Sequence, residues 1–191
     1  MIRVATMLAL VLVVAACSRT TVKDEWKDPG YSGPGISSVV VLVLPPDVEG
    51  NRTADEFVQQ LGQRGLSAVP GYKAMPDSAA SKEAVLAKAR ELGIQTVLVS
   101  SYLDKRRELG IYPYHGPSMI MMPDWNMWPS YELVENEYLV FATALYDAAT
   151  GKAIWSAVSD TFVRGSPQKD LKSYVKAVLK KMEKQGLVRP D

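Results

Sequence analysis

The stretch SSVVVLVLPP, residues 37–46, constrains this chain more than any other feature. A continuous run of β-branched and aliphatic residues closed by two prolines reads as a strand over 39–44, buried on both faces. Such a strand needs a layer on each side of its sheet, and the following residues supply candidates. NRTADEFVQQLGQRG predicts a helix with Thr53 as N-cap and Glu56 at N3, a capping box that satisfies two orphan backbone donors. Phe57, Val58 and Leu61 fall on its inner face, and Gly62 or Gly65 ends it. LSAVPGYKAM is a short second strand. SKEAVLAKARELG is a second helix, capped by Ser78 or Ser81, with Val85, Leu86, Ala89 and Leu92 inside and Gly93 at its end. IQTVLVSSYLD returns as a third strand. Short turns between these elements imply right-handed crossovers and a parallel core sheet.

After residue 104 the rhythm changes. NEYLVFATALYD and KAIWSAVSDTFV are two long strands, and DAATGK between them signals an antiparallel hairpin. Both faces of these strands are fairly apolar. SPQKDLKSYVKAVLKKMEKQG is a closing helix, with Ser166 as cap, Pro167 at N1 and Gly186 at its end. Leu171, Val175, Val178, Leu179 and Met182 line its buried stripe. Lys169, Lys172, Lys176 and Lys180 form another stripe, either a solvated face or a contact for anionic headgroups or an acidic partner. The expected fold is α/β, a three-layer sandwich with a mixed sheet: βαβαβ, then a long β-hairpin, then a C-terminal helix, all within one domain over 38–191.

The chain begins Met1-Ile2-Arg3, followed by an apolar run over 4–16 and then Cys17, the single cysteine. One early charge, a short apolar core and small residues before a cleavage point are the parts of a secretory signal peptide. A transmembrane helix would need about 20 apolar residues, more than this run provides. Val14-Ala15-Ala16-Cys17 resembles the lipobox of bacterial lipoproteins. That resemblance implies removal of 1–16, acylation of Cys17 with a diacylglycerol and an amide-linked chain such as palmitate, and anchoring on the periplasmic face. Ser18 in place of an acidic residue implies the outer membrane of a Gram-negative bacterium. Residues 17–37, polar with Gly, Pro and Ser, read as a tether from membrane to domain.

Loss of Arg3 with the leader brings the 22 basic residues level with the 21 acidic ones. That balance argues against nucleic acid as a partner. The chain also resembles bacterial envelope lipoproteins of unknown function. The likeness rests on the lipobox, the W-K-D-P segment at 26–29, the strand at 39–44, R-x-x-D-x-F-V-x-x-L at 52–61 and LYD-x-x-T-G-K-x-I-W at 145–155. The fold it implies is similar to that of the lipoprotein activator of penicillin-binding proteins and of the curli secretion lipoprotein.

Nothing in the sequence points to catalysis or to a cofactor. There is one histidine, in a Pro/Met-rich stretch, and no P-loop, no GxGxxG after the first strand and no HExxH. The residues that stand out lie in an expected loop over 104–131. Tyr112, Tyr114, Trp125, Trp128 and Tyr131 are interspersed with methionines, a composition found at interface cores. They are candidates for docking an envelope protein, or for stacking on a glycan. Alternatively the loop folds over the sheet as core. His115, Met119, Met121, Met122 and Met127 are the soft ligands of an alternative copper(I)-binding reading. The expected role is that of a non-catalytic, membrane-anchored binding or assembly component of the cell envelope.

Overall fold

A computed structural model describes residues 19–33, 35–75, 81–113 and 131–189. Six strands form one sheet: β1 (Thr20–Lys27), β2 (Ser38–Leu44), β3 (Ser67–Pro70), β4 (Thr96–Pro113), β5 (Tyr131–Asp147) and β6 (Ala153–Phe162). Their order is β1-β6-β5-β4-β2-β3. The β3-β2-β4 part is parallel, and the remaining pairs are antiparallel. The helices are α1 (Val48–Gly62), the short α2 (Gly71–Ala74), α3 (Lys82–Glu91) and α4 (Pro167–Lys184). This is the expected mixed α/β architecture.

The sheet is covered unequally. On one face α1 and α4 bury Phe57, Leu61, Tyr174, Val178 and Leu179 against Val39, Val41, Leu98, Phe141 and Trp155. On the other, α3 packs Val85, Leu86 and Ala89 on Val40 and Val97. The central strand β2 therefore needs apolar residues at successive positions, which is why its sequence does not alternate. Tyr174, absent from the expected stripe of α4, sits at the centre of the larger core. Its ring stacks on Phe141 at 4.3 Å and meets Phe57 edge-on at 5.6 Å. Its hydroxyl lies 2.6 Å from both the Ser100 and Thr143 hydroxyls. Burial pushes this phenol up to about 12, while those two hydrogen bonds act to lower it.

Several local expectations need correction. Thr53 is not the cap of α1. The helix starts earlier, with Asp47 as N-cap accepting from the Gly50 N–H at 2.7 Å. Asp47 is at least as good a cap as threonine and directly follows the prolines that end β2. Thr53 is instead buried within the helix, donating to the Glu49 carbonyl at 2.8 Å. Ser81 does cap α3; the alternative cap, Ser78, lies outside the described residues. Ser166 holds the cap position of α4, but its side chain makes no capping bond.

The larger correction concerns 17–37. Residues 20–27 are not a tether but an edge strand, paired antiparallel with β6 from Thr20↔Thr161 to Lys27↔Trp155. The Thr20 and Thr161 hydroxyls meet at 3.0 Å, and Glu25 accepts from Lys181 at 2.8 Å. Downstream, Asp28 N–H bonds the Ile154 carbonyl and Ile36 N–H bonds the Leu187 carbonyl, both backbone contacts with the body. Polar composition is compatible with an edge strand whose side chains find partners on a neighbouring helix and strand.

Candidate functional site

The expected loop over 104–131 is strand at both ends. β4 and β5 pair continuously from Thr96↔Asp147 to Pro113↔Tyr131, with one bulge between Tyr102 and Asp104. The body of the sheet stops well before that. β2 pairs with β4 only as far as Leu44↔Ser101, and β6 pairs with β5 only from Tyr138↔Phe162 onward. Beyond those points, apart from the Val163 N–H bond to the Glu137 carbonyl at 2.8 Å, the two strands pair only with each other among the described residues and form a projecting ribbon.

The side chains on this ribbon are graded along its length. Near the body it is charged: Lys105 lies 2.7 Å from Glu137, Arg107 is 3.3 Å from Glu137 and 3.5 Å from Glu135, and Arg106 is 2.5 Å from Glu108. The Lys105 hydrogen bond, helped by Arg107, holds the Glu137 carboxyl below its ordinary value. Further out the ribbon is apolar. Leu109 is 74% exposed, and Ile111 and Leu133, opposite each other in register, are each 68% exposed. By the alternation of side chains these three share one face.

The ribbon is fastened where it leaves the body. Arg106 reaches across β5, placing Nη2 2.7 Å from the buried Asp160 carboxylate on β6. Its guanidinium lies 5.1 Å over the Tyr138 ring. Lys23 of β1 binds the same Asp160 oxygen. The N-terminal strand arrives at this same end. Phe162 N–H donates to the Arg19 carbonyl at 2.8 Å, and Arg19 Nη1 lies 3.0 Å from Asp170 in the first turn of α4. The chain's entry into the sheet, the base of the ribbon and the start of α4 are therefore neighbours.

A cavity of about 250 Å³ opens at the C-terminal end of β2. The crossover through α1 leaves β2 on one face and the crossover through α3 leaves the neighbouring β3 on the other, the arrangement at which open α/β sheets accommodate ligands. Leu42, Met75, Val85 and Leu86 make it apolar, and Lys82 sits with Nζ 4.7 Å over the Tyr146 ring. Among the described residues its lining carries no serine, cysteine, histidine or carboxylate.

Of the residues singled out from the sequence, Tyr112 and Tyr131 fall in the last pairs of the ribbon. Tyr114, His115, Met119, Met121, Met122, Trp125, Met127 and Trp128 lie outside the described residues, as does Cys17. Among the described residues, no group of His, Cys, Asp or Glu is arranged to hold a metal ion, and no helix is long and apolar enough to cross a membrane. Leu109, Ile111 and Leu133 are not among the residues that stand out from the sequence. The available signal was complementary patterning, with KRRELGI on one side and LVENE on the other.

No family model matches the chain, and no curated protein matches its sequence. Several solved structures are similar. A PelC dodecamer from Paraburkholderia phytofirmans is 17% identical, with 84% of this chain and 95% of that one covered and a TM-score of 0.51. Lipoprotein GNA1162 from Neisseria meningitidis is 19% identical over 78% of this chain and 99% of that one, with a TM-score of 0.43. The LpoB C-terminal domain from Salmonella enterica is 15% identical over 70% and 87%, with a TM-score of 0.39. At these identities the likeness to PelC is one of fold: this chain shares the α/β architecture of a PelC subunit.

Proposed function

We propose that the protein is a non-catalytic, lipid-anchored binding or assembly component of the bacterial envelope, and that the β4–β5 ribbon is its contact element. The observation that carries this reading is the exposure of Leu109, Ile111 and Leu133 on one face of a ribbon with no other covering among the described residues. A two-stranded hairpin is marginal in water by itself, and clustered exposed apolar side chains mark interaction sites. Acylation of Cys17 would hold the domain at the periplasmic face of the outer membrane, in keeping with the lipobox-like sequence. The similar PelC structure is a dodecamer, so a second copy of this chain is among the envelope partners to be considered.

Two experiments in intact cells test this reading. A Cys17→Ala variant is expected to leave the membrane fraction; its retention there would sink the anchor. A photo-crosslinking residue at position 111 is expected to capture an envelope component, lipid or protein. The same residue at exposed Ala149 is the control. Equal labelling at the two positions would remove the ribbon as contact element.

A further inference from the structure

The direction of the ribbon relative to the N-terminus identifies what its outer part touches. Arg19 is level with Phe162, the last β6 residue to pair with β5. Only one residue separates Arg19 from Cys17, so the anchor lies within about 7 Å of Arg19. The ribbon leaves from that same end, and residues 131–137 carry it about 24 Å past the Tyr138↔Phe162 pair at the usual rise per residue. It therefore extends roughly three times further than the link to the anchor can stretch. We infer that the apolar patch of the ribbon formed by Leu109, Ile111 and Leu133 seats in the lipid surface that holds the acyl chains. This rests on the lipid-anchor reading of Cys17.

The chemistry is graded in the same direction. The Lys105, Arg107, Glu135 and Glu137 network lies within about 10 Å of the body, a depth that matches the polar headgroup region. Ile111 and Leu133 come about 17 Å out, past those charges. At the same end Arg164, Lys169 and Lys172 are exposed cations near the start of α4, complementary to anionic headgroups. Glu135, opposite Leu109, keeps an acid about 7 Å short of Ile111 and Leu133. That favours shallow interfacial seating over a membrane-spanning hairpin.

The test uses the full acylated chain in vesicles of phosphatidylethanolamine and phosphatidylglycerol. With Cys17 consumed by acylation, Ile111→Cys offers a single thiol for an environment-sensitive fluorophore. Ala149→Cys, in the β5–β6 turn at the other end of the sheet, is the control. The expected result is blue-shifted emission at 111, quenching by brominated lipids and loss of quenching by aqueous iodide, with the reverse at 149. Iodide access at 111 equal to that at 149, on protein that floats with the vesicles, would overturn the seating while leaving the anchor intact. Protection from both quenchers would overturn it in favour of a protein contact. Failure of the chain to float would remove the anchor itself, and the inference with it.

Discussion

Arg106 and Asp160 lie two strands apart, and the Arg106 guanidinium crosses β5 to place Nη2 2.7 Å from the Asp160 carboxylate. Lys23 reaches the same oxygen from β1. One carboxylate thus ties the projecting ribbon to the strand by which the chain enters the fold. Asp160 is buried, whereas both cations are about half exposed. Asp160→Ala leaves two cations that water can still solvate, so its expected cost is about 1–2 kcal/mol rather than that of breaking a fully buried pair. Urea unfolding measures the cost, and a double-mutant cycle with Arg106→Ala should show a coupling of about 0.5–1 kcal/mol. Additive effects would mean the pair contributes nothing to fastening the ribbon.

Tyr174 makes stability depend on alkaline pH. Its folded pKa, about 12, stands above the ordinary 10, so the buried phenol keeps its proton where the unfolded chain releases it. The contribution is present in full below pH 10 and is lost as pH climbs from 10 through about 12, at up to about 1.4 kcal/mol per unit. Tyr174→Phe should flatten that alkaline arm. At neutral pH the same change should cost about 1–3 kcal/mol, because the Ser100 and Thr143 hydroxyls lose their shared partner. Melting curves between pH 7 and 12 report both effects.

Two glycines of α1 should respond in opposite directions to alanine. A Cβ at Gly50 would lie 2.3 Å from the Pro45 carbonyl oxygen, a backbone atom with little room to yield. Gly50→Ala should destabilise by about 1–3 kcal/mol. At Gly62 a Cβ meets nothing within 4 Å, and the unfolded chain loses freedom, so Gly62→Ala should stabilise by about 0.4–1 kcal/mol. Denaturant midpoints of the two variants separate the cases.

Removing β1 should show that it belongs to the domain. A chain starting at residue 28 loses the β1–β6 ladder, the Thr20–Thr161 hydroxyl contact and the Glu25–Lys181 pair. Its Tm should fall by more than about 5 °C, while a chain starting at residue 19 should melt like the whole mature domain. Equal melting of the two chains would restore the tether. Calorimetry decides it.

Most of the architecture was legible because it is written locally. The apolar run of β2, Ser81 ahead of α3 and the glycines at 93 and 186 each act within a few residues of themselves. Thr53 was misread because capping depends on where the chain turns, and Asp47 reached the first free N–H groups sooner. The candidate site was only half legible. An aromatic and methionine-rich segment stands out by composition, but the strands leading to it look like ordinary charged linkers.

The sequence by itself determined the order of β2 to β6 with α1, α3 and α4, most of the faces they bury and a lipobox-like N-terminus; Leu92, expected inside α3, is exposed. Only the tertiary structure decided that β1 joins the sheet, that β4 and β5 run on as a ribbon and that Asp160 fastens both. Each of these depends on a partner far away in the chain. An edge strand such as TTVKDEWK has no apolar periodicity of its own to announce it. Its stability comes from the ladder on β6 and the cations and hydroxyls that meet it there.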